Sequence, residues 1–145
     1  MNLLHMMDTA PDAIIVLDRW DRVAYWNDGA TNTFGFSKAE MMGQSLSAIV
    51  PEPLRQRHAQ AFHRFIETGR SAYAPGHTMA VPALHKRGDR LSIQFRLSVT
   101  RDESDAIQYV MAIIRDVTAT WNRTQEQGKK IRELEERLKQ FEATP

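Results

Sequence analysis

The stretch "RLSIQFRLSVT", residues 90–100, alternates without a break: Leu91, Ile93, Phe95, Leu97 and Val99 are apolar, and Arg90, Ser92, Gln94, Arg96, Ser98 and Thr100 are polar. Successive side chains of a strand point to opposite faces, so a period of two predicts a strand with one core face and one wet face. "RDESD" after it is a turn, and "IQYVMAIIRDVT", residues 107–118, is a second, longer apolar strand. Before it, "HKRGD" is a turn. "HTMAV", residues 77–81, which follows the break at "APG", is predicted to be a strand. Three antiparallel strands therefore occupy the second half of the chain.

The first half begins with "MNLLHMMDTAPD", a short amphipathic helix and a turn at Pro11-Asp12. "AIIVLD", residues 13–18, is a continuous run rich in β-branched residues, suited to a strand buried on both faces. "RWDR" has hairpin length and polarity, and "VAYWN" supplies a second strand. Small helices follow: "DGATNTFGF" ends near Gly35, "SKAE" is a capping box between Ser37 and Glu40 with Gly43 as its stop, and "SLSAIV" is a further turn.

In "PEPLRQRHAQAFHRFIETG", residues 51–69, a longer helix starts after Pro53 and stops at Gly69. Leu54, His58, Ala61, Phe62 and Phe65 form one stripe on it, because a helix advances about 100° per residue. His58 is thus an imidazole among apolar side chains, and His63 falls on the wet face. His5 and His85, in a terminal segment and a charged turn, are expected to be solvated.

Composition limits the function classes. A chain of 145 residues, 42% hydrophobic and 26% charged, fits one domain with a single core. Lys and Arg number 19 against 18 Asp and Glu, so no general attraction to nucleic acid or anionic membranes is expected. With no cysteine there are no disulfides, thiolate metal sites or cysteine nucleophiles. The apolar runs fall far short of the roughly 20 residues of a membrane span, and a cytoplasmic location is expected. No Gly-rich phosphate loop, Ser/His/Asp elbow or metalloprotease motif is present, so enzymatic activity is not expected in this segment.

The order of elements predicts an α+β fold: a five-stranded antiparallel sheet with helices on one face, over residues 1–118. From residue 119 to 145 a C-terminal helix is expected, in which Ile131, Leu134, Leu138 and Phe141 are spaced 3, 4, 3 like a coiled-coil seam. Glu135 stands four before Lys139 in the stabilising sense, and Gly128 weakens the connection. This helix is read as a signalling or dimerising element; a short solvated helix is the alternative.

This order, with "PDAIIVLDRWDRVAYWND", "TFGFSKAEMMGQSLSAIVPE", "HKRGDRLSIQFRLSV" and "AIIRDVT", resembles the PAS sensor fold over residues 5–118. "PEPLRQRHAQAFHRF" is similar to the haem-binding PAS sensors of the FixL and direct oxygen sensor type. The resemblance implies haem b with His58 as proximal iron ligand and Arg64 near the propionates. A neutral imidazole aimed into an apolar cavity suits that role. In "GHTMAV" the distal arginine of those sensors is missing; His77 or Met79 is a candidate sixth ligand, so that redox state, carbon monoxide, nitric oxide or oxygen by ligand exchange would be the signal. Leu97, Val99, Met111 and Ile113 are expected to line the pocket. The implied partners are a diatomic gas and a second copy, through the C-terminal helix and the domain surface, with an output domain outside these residues. Two rivals are a cofactor-free dimerisation and relay module, and a pocket for a non-covalent flavin or small metabolite.

Overall fold

The computed structural model of the chain describes residues 1–69 and 80–143. After helix α1 (Leu3–Thr9), strands β1 (Ala13–Asp18) and β2 (Val23–Trp26) form a hairpin. Helices α2 (Asp28–Phe34) and α3 (Lys38–Met41), two 3-10 turns and helix α4 (Arg55–Thr68) lead to strands β3 (Val81–Leu84), β4 (Arg90–Arg101) and β5 (Ile107–Asp116) and the long helix α5 (Thr118–Ala143). One five-stranded sheet has the order β2-β1-β5-β4-β3, antiparallel at every pairing.

The expected α+β architecture is present. β1 is interior to the sheet, with Ala13 and Ile15 fully buried and Ile14 nearly so, in keeping with an apolar run covered on both faces. β3 is Val81–Leu84 and includes Pro82; most of the "HTMAV" strand reading, residues 77–79, lies outside the described residues. A proline that cannot donate to a ladder is tolerated there because β3 is an edge strand. His77 and Met79 lie outside the described residues.

Pairing parity corrects the reading of β5. Leu97 is opposite Ala112 and Val99 opposite Val110, whereas Met111 and Ile113 face Ser98 and Arg96. Val110, Ala112 and Ile114 are buried, and Ile113 is 41% exposed. Met111 and Ile113 therefore stand on the outer face, together with Val16 and Ile14 of β1, and cannot line a pocket with Leu97 and Val99. An uninterrupted apolar run carries no alternation from which the inner face can be chosen.

The core joins Ile15 and Leu17, Val23 and Trp26, Ile93 and Ile114 from the sheet to Phe34 of α2, Met41 of α3 and Ile49 of the first 3-10 turn. Trp26 and Phe34 rings are 5.9 Å apart, and the indole N–H donates to the Thr31 hydroxyl and the Phe36 carbonyl, both at 3.1 Å. The Ser37–Glu40 capping box is made as expected. His85 is half-buried rather than fully solvated: its ring packs on Gly35, where a Cβ would come within 2.4 Å of the imidazole, and where φ is +83°. Glycine satisfies both demands at once.

A buried amide organises the N-terminal half. Asn27, 2% exposed, caps α2: its Oδ1 accepts from Ala30 N at 2.9 Å and also from Ile14 N at 2.8 Å. Its Nδ2 donates to the carbonyls of Met7 at 2.9 Å, Asp12 at 3.0 Å and, more weakly, Ala10 at 3.5 Å. Next to it, a Cβ on Gly29 would fall 2.3 Å from the Asp12 carbonyl, so helix and turn touch backbone to backbone.

Asn27→Ala strands several buried backbone groups at once, each of which costs about 1–3 kcal/mol. A loss of roughly 2–4 kcal/mol is expected, read as a lower urea midpoint with an unchanged slope.

Candidate functional site

α4 is fixed at both ends. At its start the Arg55 guanidinium donates to the carbonyls of Ser47 at 3.1 Å and Val50 at 3.0 Å. At its end Gly69, φ +70°, brings the chain beside the Arg101 side chain of β4. Between these anchors the stripe read from the sequence is the inward one: Leu54, His58, Ala61, Phe62 and Phe65 are half-buried, and Phe62 packs against the core. Gln56, Arg57, Gln60, His63 and Arg64 are exposed. His63 is used locally, its Nε2 lying 2.9 Å from the Glu67 carboxylate one turn on.

The carboxylate whose charge acts on His58 is one that no local pattern along the chain places there. Asp21 lies in the β1–β2 turn with φ 62°, a left-handed conformation uncommon outside glycine, asparagine and aspartate. The Asp18 side chain orders this turn by accepting from Trp20 N at 2.9 Å and Arg22 N at 3.0 Å. A bridge between Arg22 and Ser45 then docks the turn on the segment before the 3-10 turn. Ser45 Oγ donates to Asp21 Oδ2 at 3.1 Å, while the buried Oδ1 has no hydrogen-bond partner among the described residues.

Burial and attraction oppose each other here. Burial pushes the His58 imidazole below its usual range, and the weaker opposing pull is the Asp21 negative charge. Burial likewise pushes Asp21 up, against the attraction of His58 and the Ser45 hydrogen bond. In both groups desolvation is the larger influence, so His58 is held neutral with a free ring nitrogen, the form a metal ion requires. Ser45, Asp21 and His58 do not form a nucleophilic relay, because the hydroxyl is bonded to the acid, where a relay needs it on the imidazole.

Across the sheet, Leu97 and Val99 share the core-facing side of β4, yet Leu97 is 40% exposed. Apolar sheet surface is thus left uncovered on the side where the helices pack. Among the sequence-derived candidates, then, His58 is on the inward stripe of α4, Arg64 is on its solvent side, Leu97 and Val99 are on the inner sheet face, and Met111 and Ile113 are on the outer one. Among the described residues no group of three or more His, Cys, Asp or Glu is placed to hold a metal ion, and no helix is long and apolar enough to cross a membrane. Asp21 and Ser45 were missed because 37 and 13 residues separate them from His58, and only the docked turn unites them.

An antiparallel sheet with short helices packed on it, and one half-buried imidazole on the inward stripe of α4, defines a small α+β domain. The chain belongs to the PAS family: the family model described as PAS fold matches residues 7–121. It is 29% identical to the sensor protein FixL of Bradyrhizobium diazoefficiens over 119 residues, 81% of this chain and 23% of FixL. It is 24% identical to the oxygen sensor protein DosP of Escherichia coli over 104 residues, 72% of this chain and 13% of DosP. The chain spans less than a quarter of the length of these relatives. A PAS domain from Colwellia psychrerythraea shares the fold with a TM-score of 0.68 at 23% identity, covering 81% of this chain and 95% of that one. An RNA-binding light-oxygen-voltage receptor does so with a TM-score of 0.71 at 20% identity, covering 89% and 36%.

The two titrations have opposite consequences. His58 binds its proton more readily unfolded, so the ligand-free protein is expected to lose stability as pH falls below about 6.5 toward the depressed folded value. His58→Gln should remove that share of the loss in urea titrations. Asp21 binds its proton more readily folded, so its carboxylate costs stability as pH rises from about 3.9 through its raised folded value. Asp21→Asn, which also suits a positive φ, is expected to raise stability at pH 7 and to lower the His58 pKa further, read from its imidazole resonances by NMR.

Proposed function

We propose that this sensory PAS domain binds haem b with His58 as an axial iron ligand, and that it responds to a diatomic gas or to redox state. The observation that carries the reading is the half-buried imidazole on the inward stripe of α4, kept in its neutral form by burial. The uncovered apolar surface at Leu97 fits a large flat apolar group, and Val99 extends that surface. Arg64, on the solvent side of α4, would offer its cation to the propionates. Bound haem would supply an iron that takes a gas ligand or changes oxidation state. His77 and Met79 are proposed as alternative candidates for a second ligand. Similarity to FixL and DosP supports the same reading.

His58 itself would fix the ring nitrogen toward the group. Asp21 would draw positive charge toward the imidazole and so make it a stronger donor. The exit of the signal is through α5. Thr118 Oγ1 accepts from Ser92 N at 3.0 Å and Val117 N donates to Ser92 O at 2.9 Å, so the first turn of α5 is tied to the start of β4. A ligand that favours one sheet arrangement would bias the seating of that helix. We propose a homodimer through α5 as the relay, with any enzymatic output carried by a part of the protein beyond these residues.

The fully buried packing of Trp26, Phe34 and Met41 supports a second reading, in which the domain is a cofactor-free dimerisation and relay module. Visible spectra of protein prepared with haem available, oxidised and reduced, with and without carbon monoxide, separate the two. A Soret band that is lost in His58→Ala supports the haem sensor. A colourless protein that takes up no added haem moves the assignment to the relay module, and a yellow one to a non-covalent flavin.

A further inference from the structure

A cleft of about 330 Å³ opens between α3 and the start of α4, and none of the residues around it belongs to a strand. Phe36, Met41 and Ala48 make its apolar part, and each belongs to the core or packs against it. That volume is at the small end of ligand pockets, enough for a single ring or a short chain. The cleft adjoins the supports of His58 without including it: Arg55 anchors α4, and Ser45 holds Asp21.

Two charged side chains border it, and they differ. Glu40 accepts from Ser37 N at 3.0 Å on one oxygen and from Lys86 Nζ at 2.7 Å on the other. The Lys86 bond foremost, and the Ser37 bond after it, hold its carboxyl down to about 2. Glu40 is therefore ionised and already matched by its own cation. Arg55 spends its Nε on the Ser47 and Val50 carbonyls, which fixes the plane of its guanidinium. Among the described residues no carboxylate pairs with its two terminal nitrogens. The Gln44 carboxamide and the Ser47 hydroxyl also border the cleft and take no hydrogen-bond partner among the described residues.

One oriented cation thus stands beside an apolar wall, with neutral polar groups around it. A planar guanidinium with two terminal amino groups matches both oxygens of a carboxylate. A phosphate dianion would meet the Glu40 charge with twice the repulsion, and the ammonium of a zwitterion would find both Glu40 oxygens taken. We propose that this cleft binds a small monocarboxylate with an apolar ring or chain, its carboxylate on Arg55 and its body against Phe36 and Ala48. The inference is independent of haem, so the loss of one reading leaves the other standing.

Benzoate is the probe, titrated into the 145-residue chain and followed by the backbone amide resonances. Saturable shifts centred on Gln44, Ser47 and Ala48 are expected, with a dissociation constant of about 1 mM or below. Benzamide, which keeps the shape and lacks the charge, should bind roughly tenfold more weakly or worse. Arg55→Gln should cost benzoate a similar factor. Because Arg55 also anchors α4, Gln44 supplies a second test: it is exposed, and its side chain holds nothing in place among the described residues. Gln44→Lys should tighten benzoate binding severalfold, and Gln44→Glu should weaken it to a similar extent. The proposal is overturned by the absence of a saturable shift up to about 20 mM benzoate, by equal binding of benzamide, or by indifference to both Gln44 changes. Shifts centred on Leu97 and Val99 would place the probe on the inner sheet face and overturn it as well.

Discussion

The buried carboxamide of Asn27 is the constraint on which the rest depends. A buried amide must use its donors and its acceptor together, since each group left unpaired costs the full desolvation penalty. Asn27 can do so only where the end of α1, the start of β1 and the first turn of α2 converge on it. Its bond to Ile14 N sets where β1 meets the end of β2, and its neighbour Trp26 then enters the core opposite Ile15. A shift of one residue in either strand would break the polar network and turn the apolar set outward.

That register has a consequence some distance away. It presents the β1–β2 turn, with Asp21 in its left-handed conformation, to Ser45 and to His58 of α4. The imidazole is thereby placed between two opposing influences, an acid that favours its charged form and a burial that favours its neutral form. Burial prevails, and a neutral ring on the inward stripe of α4 is what makes the proposed iron ligation chemically reasonable. Removal of the carboxylate and removal of the imidazole are therefore different perturbations, the first electrostatic and the second of the site itself.

The proposed site and the proposed exit share one strand. Leu97 and Val99 face inward on β4, and Ser92, at the start of the same strand, holds the first turn of α5 through Thr118 and Val117. β4 is hydrogen-bonded along most of its length to β5 and at its start to β3. A displacement of the strand is therefore carried by the packed sheet, and a ligand couples to α5 only by the difference in its affinity for two such arrangements.

Local periodicity and local chemistry made much of this legible in the sequence. The alternation at Leu91 to Val99 marked a strand, the Ser37–Glu40 box a helix start, and the 3.6-residue stripe through His58 the inward face of α4, because each is a pattern of neighbours along the chain. The inner face of β5 was not legible, since an apolar run looks the same from either side; pairing with β1 and β4 decided it and moved Met111 and Ile113 outward. The environment of His85 depended on a bare glycine in another element. The roles of Asn27 and Asp21 depended on partners up to 37 residues away, and contacts across such separations leave no local period. The sequence by itself determined which segments fold and how; only the tertiary structure decided which polar side chains meet, because that follows from strand register and turn docking.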